Sequence, residues 1–126
     1  MKVLIVGLGV QGQKRKKLLN KKFVFATVDN KNIRADYKNI KDAPLEKYDS
    51  VFVCTPYSEK LKILNFCIKN KKNALIEKPL VANSESKIKK LENKANKENL
   101  VFYSAYNHRF EPHFINIKKI IKSKVL

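Results

Sequence analysis

The chain has 126 residues, 44% of them hydrophobic, and 28 lysines and arginines against 11 aspartates and glutamates give a formal charge of +17. That length holds one domain with a real core, or one domain plus a tail, and the ordinary apolar fraction excludes wholesale disorder. The charge suggests either a nucleic-acid or anionic-surface binder or a lysine-rich usage spread over wet helix faces; the second is favoured, because the only arginines are Arg15, Arg34 and Arg109.

Val3 to Val6 is a continuous apolar run, β-branched at three of four positions. It reads as a strand buried on both faces. Gly7-x-Gly9-x-x-Gly12 follows at once, and then helix-forming residues to about Lys22. In a strand–turn–helix, Gly7 serves the tight turn, Gly9 lets a phosphate reach the backbone, and Gly12 lets the helix lie close on the strand. The helix N-terminus then offers N–H groups and partial positive charge to a pyrophosphate. This opening does not read as a secretory leader. It is short, carries two glycines, and runs into Lys14-Arg15-Lys16-Lys17 without a small-residue cleavage site. No stretch reaches the length of a transmembrane helix.

The helix over 10–22 has few apolar residues, so most of it is expected to be solvated. Phe23 to Val28 is a second strand, and it ends in Asp29. A carboxylate there, about 20 residues past the glycines, suits hydrogen bonds to ribose hydroxyls. The polar span from Asp29 to Asp49 is short for a crossover helix. A clipped connection is expected, with a short strand near 33–35 and one helical turn near 39–43 before Pro44.

Ser50 to Thr55 is the next buried strand, closed by Pro56. The following helix, about 57–70, carries a stripe of Tyr57, Leu61, Leu64 and Ile68, with Thr55 or Ser58 as its cap. Ala74 to Ile76 is a short strand that runs into Glu77-Lys78-Pro79. Asn83 or Ser84 caps a helix over about 85–98, with Ile88, Leu91 and Ala95 inward. Leu100 to Ala105 is a last strand, and Tyr106-Asn107-His108-Arg109-Phe110 lies just past its end. Pro112 opens a final helix with Phe114, Ile117 and Ile121 on one face. Cys54 and Cys67 show no paired framework or metal spacing and read as buried thiols of a reducing compartment. Strands alternating with helices predict a doubly wound parallel α/β sheet, a Rossmann-like dinucleotide-binding domain.

Ligands in such sheets bind beyond the carboxyl ends of the strands. Gly7–Gly12, Asp29, Cys54-Thr55-Pro56, Glu77-Lys78-Pro79 and Asn107-His108-Arg109 should therefore line one edge. Lys78 is the main candidate for chemistry. An ammonium beside a nicotinamide and a secondary alcohol can help move the hydroxyl proton as hydride leaves. Glu77 can hold that lysine or bind a ribose hydroxyl, and Pro79 constrains the backbone, with a cis bond before it as one option. A solvated turn is the alternative for these three residues. His108 invites an acid/base role, although a lone histidine is more often structural. Arg109 can pair with an acidic group or hold the cofactor, and His113 has no evident partner. No metal cluster, nucleophile elbow or serine triad is visible, and the glycine loop lacks the Gly-Lys-Ser/Thr ending of a triphosphate site.

With VLIVGLGVQG at 3–12, VCTP at 53–56, LIEKPL at 75–80 and YNHRFEP at 106–112, the chain resembles the amino-terminal half of the glucose–fructose oxidoreductase / inositol dehydrogenase / rhizopine-catabolism (Gfo/Idh/MocA) family. The resemblance implies an NAD- or NADP-dependent, cytoplasmic oxidoreductase acting on sugars, inositols or polyols. It carries the family's motif lysine onto Lys78, near the nicotinamide. Cofactor contacts fall on Gly7, Leu8, Gly9, Val10, Gln11, Gly12, Asp29, Thr55, Pro56, Glu77, Lys78 and Arg109. Asp29 favours NAD, since a carboxylate repels a 2′-phosphate, while Lys31 and Arg34 keep NADP open.

Two departures stand out. Family members often carry a histidine a few residues past Thr-Pro, where Ser58-Glu59-Lys60 stands here. Members also run to more than twice this length, with a second α/β domain for substrate and oligomer contacts. Residues 1–126 are accordingly expected to be the dinucleotide-binding domain, with 112–126 as the connecting helix. Such a chain should bind dinucleotide, show little or no turnover alone, and form no oligomer without the second domain. No membrane partner is expected. The rival readings are a non-catalytic NAD(P)-binding or redox-sensing module and, less favoured, a basic nucleic-acid binder.

Overall fold

A computed structural model describes residues 1–81 and 85–123. Five strands, Val3–Val6 (β1), Val24–Val28 (β2), Ser50–Val53 (β3), Asn73–Ile76 (β4) and Phe102–Ser104 (β5), form one sheet in the order β2-β1-β3-β4-β5. Every pairing is parallel. The helices are Val10–Leu18 (α1), Tyr57–Lys69 (α2), Glu85–Lys97 (α3) and Pro112–Lys122 (α4). This is the doubly wound α/β sheet that the alternation of elements predicts.

Side chains of β1 alternate between two apolar layers. Leu4 and Val6 join Val51, Val53, Leu64, Cys67 and Leu91 on the side of α2 and α3. Val3 and Ile5 join Leu8 on the other side, where Leu19, Val24 and Phe52 pack on them. Val3, Leu4 and Ile5 are completely buried. Each such side chain contributes about 1.5–3 kcal/mol relative to an exposed one. The strand that opens the glycine turn is thus among the most firmly held parts of the chain.

Several elements depart from expectation. α1 stops at Leu18 rather than near Lys22, because Leu19 turns extended and the Asn20 side chain accepts from the Lys22 N–H, starting a short 3₁₀ turn over Lys21–Phe23. β2 therefore begins at Val24. No strand forms at 33–35. Asp29 turns the chain locally by accepting from the N–H groups of Lys31 and Asn32, and a single parallel bridge joins Val28 to Tyr37. The rest of this connection is two 3₁₀ turns, Ile40–Asp42 and Leu45–Lys47.

The buried face of α2 is Lys60, Ile63, Leu64 and Cys67, while Tyr57 is exposed. The stripe was expected along Tyr57, Leu61, Leu64 and Ile68. Only Leu64 belongs to the fully buried set, with Leu61 and Ile68 half-buried at its flank. Pro56 occupies the N-cap of α2 without a side-chain bond, so neither Thr55 nor Ser58 caps it. Cys67 is buried as expected, whereas Cys54 is only half-buried. In α3, Leu91 and Ala95 are buried and Ile88 is partly so. Its expected caps, Asn83 and Ser84, lie outside the described residues.

Candidate dinucleotide site

Because all five strands run the same way, the glycine turn, Asp29, Thr55-Pro56 and Glu77-Lys78-Pro79 share one edge of the sheet. The turn is built by close approach. Gly7 sits at φ +93°, and a Cβ there would lie 2.8 Å from the carbonyl carbon and oxygen of Cys54. A Cβ on Gly12 would lie 1.8 Å from the Gly7 oxygen, so only hydrogen fits where α1 crosses β1. Gly9 differs. A Cβ on it would meet nothing within 4 Å. It is also the N-cap of α1 and makes no side-chain cap. Open space therefore faces the first-turn N–H groups of a nine-residue helix, the arrangement a pyrophosphate needs.

Asp29 follows β2 directly. Its Oδ2 accepts from the Leu8 N–H at 2.7 Å, and its Oδ1 accepts from Lys31 and Asn32, both at 2.9 Å. Burial opposes its ionisation, but the Leu8, Asn32 and Lys31 donors outweigh burial and hold the carboxyl below its ordinary 3.8. Three of roughly four acceptor directions are used, leaving room for a hydroxyl donor. Asp29 thus also braces the glycine turn, a task that spacing alone does not reveal. Asp36 braces β2 in turn. The Thr27 hydroxyl and N–H both donate to its Oδ2, the hydroxyl at 2.6 Å, and they lower its pKa. Beside this turn a cavity of about 370 Å³ is lined by Leu8, Gln13, Lys16, Lys17, Asn32 and Arg34.

At the tip of β3, the Thr55 Oγ1 is buried and has no hydrogen-bond partner among the described residues. A buried hydroxyl of that kind is available to a ligand. Past β4 the three motif residues divide. Glu77 is buried, and its Oε1 takes the Arg15 Nε at 2.5 Å, with the Arg15 Nη2 closing the ion pair. Lys78 is exposed, and among the described residues its ammonium has no partner. The Lys78–Pro79 peptide is cis.

Lys60 is the residue that motif reading passed over. It is 1% exposed, and its Nζ donates to the carbonyls of Glu77 and, at 2.7 Å, Pro79. Its burial lowers its pKa, opposed by the nearby Glu77 carboxylate. The signal was its place on the inward face of α2, in step with Ile63, Leu64 and Cys67.

The fifth stretch follows β5 at the same edge, and its side chains pair mainly with near neighbours in the chain. Arg109 is exposed, stacks on Tyr103 and Phe110, and donates to the Tyr103 hydroxyl at 3.3 Å. His108 Nδ1 lies 2.8 Å from Glu111 Oε1. His113 also finds a partner, its Nε2 lying 3.1 Å from Glu111 Oε2. Among the described residues no group of His, Cys, Asp and Glu could hold a metal, and no helix is long and apolar enough to cross a membrane.

A parallel sheet in this order, with a glycine turn that leaves its phosphate approach open, defines a dinucleotide-binding domain. Residues 2–106 match the family model described as the Gfo/Idh/MocA oxidoreductase family, NAD-binding Rossmann fold, and the chain belongs to that family. Oxidoreductase YrbE of Bacillus subtilis (strain 168), itself uncharacterized, is 26% identical over 91 residues, 72% of this chain and 26% of that protein. The fold matches apo scyllo-inositol dehydrogenase from Lactobacillus casei with a TM-score of 0.76 at 19% identity, covering 97% of this chain and 41% of that one. It also matches an NAD-binding protein from Listeria innocua (TM-score 0.77, 20% identity, 98% and 40% covered) and myo-inositol 2-dehydrogenase from Lactobacillus plantarum (0.73, 20%, 97% and 41%). The chain therefore spans about a quarter of YrbE and two fifths of the solved structures it resembles.

Proposed function

We propose that the chain is the cofactor-binding part of a dehydrogenase that oxidises a hydroxyl of a sugar, inositol or other polyol, with NAD as the dinucleotide. When bound, the nicotinamide takes up the hydride. The chain's own residues do the rest. First-turn N–H groups of α1 hold the pyrophosphate above Gly9. Asp29 accepts from the adenosine ribose and, being ionised, disfavours a 2′-phosphate. Thr55 and Pro56 bound the cleft at the centre of the sheet, and Arg109 closes it at the β5 end. Lys78 takes part in moving the substrate hydroxyl proton. Its ammonium, unpaired among the described residues at the strand edge, supports that role, as does the inositol dehydrogenase activity named for two of the similar structures.

The observation that carries the reading is the empty approach at Gly9, beside two glycine positions where nothing larger fits. Calorimetric titration with NADH and NADPH, on wild type and Asp29→Ala, tests it. NADH should bind wild type, and Asp29→Ala should weaken NADH at least tenfold while narrowing any gap to NADPH. Lys16, Lys17 and Arg34 around the neighbouring cavity would draw a phosphate, so tighter NADPH binding by wild type would overturn the NAD assignment. Absence of binding to either would overturn the dinucleotide reading.

A further inference from the structure

Lys60 and Lys78 occupy opposite situations. One ammonium is sealed inside the chain and the other, among the described residues, is unpaired at the surface. Yet the buried one holds the backbone of the exposed one. Its two acceptors are the carbonyls of Glu77 and Pro79, the residues on either side of Lys78. From α1, Arg15 grips the Glu77 side chain. The turn is therefore clamped from two helices, through main chain and side chain separately, while the side chain it presents stays free.

We infer that Lys60 is a positioning residue for Lys78, setting where the Lys78 ammonium stands over the cofactor cleft. The inference rests on the reading of that cleft as a nicotinamide site. Burying an ammonium carries a desolvation cost that hydrogen bonds to two carbonyls largely offset rather than exceed. An apolar side chain would fill the same space without that cost, but it would leave the buried Glu77 carbonyl and the partly buried Pro79 carbonyl without their donor. What the arrangement adds is geometry. It removes the freedom of the peptide units flanking Lys78, the kind of preorganisation a proton-handling group requires.

The test compares wild type with Lys60→Met, which keeps volume without donors, and Lys60→Arg, which keeps donors. Each is titrated with NADH and with ADP-ribose, which lacks the nicotinamide, and amide hydrogen exchange is followed without ligand. Lys60→Met should bind ADP-ribose as wild type does, bind NADH about tenfold more weakly, and exchange faster at the amides of Glu77, Lys78 and Leu80. Lys60→Arg should recover most of both properties. Equal losses for NADH and ADP-ribose, or a folded Lys60→Met with wild-type NADH binding and unchanged exchange at 77–80, would overturn the inference. Should Lys60→Met fail to fold, Lys60→Gln is judged by the same readings. A wild type that binds neither ligand defeats the dinucleotide reading instead, and the ligand-free exchange data still judge Lys60.

Discussion

Arg15 and Glu77 stand 62 positions apart, yet their side chains meet with the Arg15 Nε 2.5 Å from Glu77 Oε1. The pair ties α1, which follows the glycine turn, to the strand tip that carries Lys78. Both side chains are largely buried. Removing Arg15 strands a carboxylate inside the chain, where the cost is desolvation without compensation. Arg15→Ala should destabilise by about 2–3 kcal/mol in urea melts, and Glu77→Gln by less, because the amide carries no charge.

The three glycines should separate stability from binding. Gly7→Ala and Gly12→Ala meet backbone atoms and should lower stability by about 1–3 kcal/mol or more. Gly9→Asp meets nothing and places a good capping side chain at the N-terminus of α1. Its melting temperature should equal or exceed that of wild type, while the added carboxylate abolishes NADH binding. Wild-type NADH affinity in this variant would show that the pyrophosphate lies elsewhere.

Burial raises the Cys54 and Cys67 thiols from 9.0 to about 12, with Glu77 adding to the effect at Cys54, and burial raises Tyr48 from 10.0 to about 12. The unfolded chain releases these protons from pH 9 upward, while the folded chain keeps them to about 12. Their contribution is complete below pH 9 and is lost across 9 to 12. Lys60 acts in the opposite sense, since its lowered pKa makes the folded chain release a proton first. Denaturant melts from pH 7 to 11 should show falling stability above 9, with a shallower fall in Cys67→Ala. At the acid end, Asp29 and Asp36 contribute stability above 3.8 that disappears as pH drops through their lowered values.

Helix α4 buries none of its residues, and Phe114, Ile115, Ile117, Ile120 and Ile121 are all exposed. A contiguous apolar surface of this kind binds hydrophobic dyes and promotes association. Ile117→Lys with Ile121→Lys should reduce ANS fluorescence and light scattering without lowering the melting temperature, because no core contact is lost. Unchanged dye binding would place the sticky surface elsewhere.

The sheet was legible in the sequence because its strands are short apolar runs bounded by glycine, proline and polar turns, and because the glycine spacing names its own context. Boundaries were less legible. The end of α1 depends on Asn20 competing for a backbone N–H, and the stretch after Asp29 depends on that side chain turning the chain back. The inward face of α2 escapes the pattern because an apolar stripe assumes that buried positions are apolar. Tyr57 satisfied the pattern and is exposed; Lys60 broke it and is buried. Pairs distant in sequence, such as Arg15 with Glu77, leave no periodic trace at all.

The carbonyls of Glu77 and Pro79 ask Lys60 for two N–H bonds. A charged ammonium has three hydrogens to give and a neutral amine still has two, so losing a proton need not open either bond. An imidazole offers two only when protonated, and from opposite sides of its ring. With lysine rather than histidine here, the grip on this turn is uncoupled from acidity, and the backbone around Lys78 should keep its shape across a pH range in which a histidine would let go.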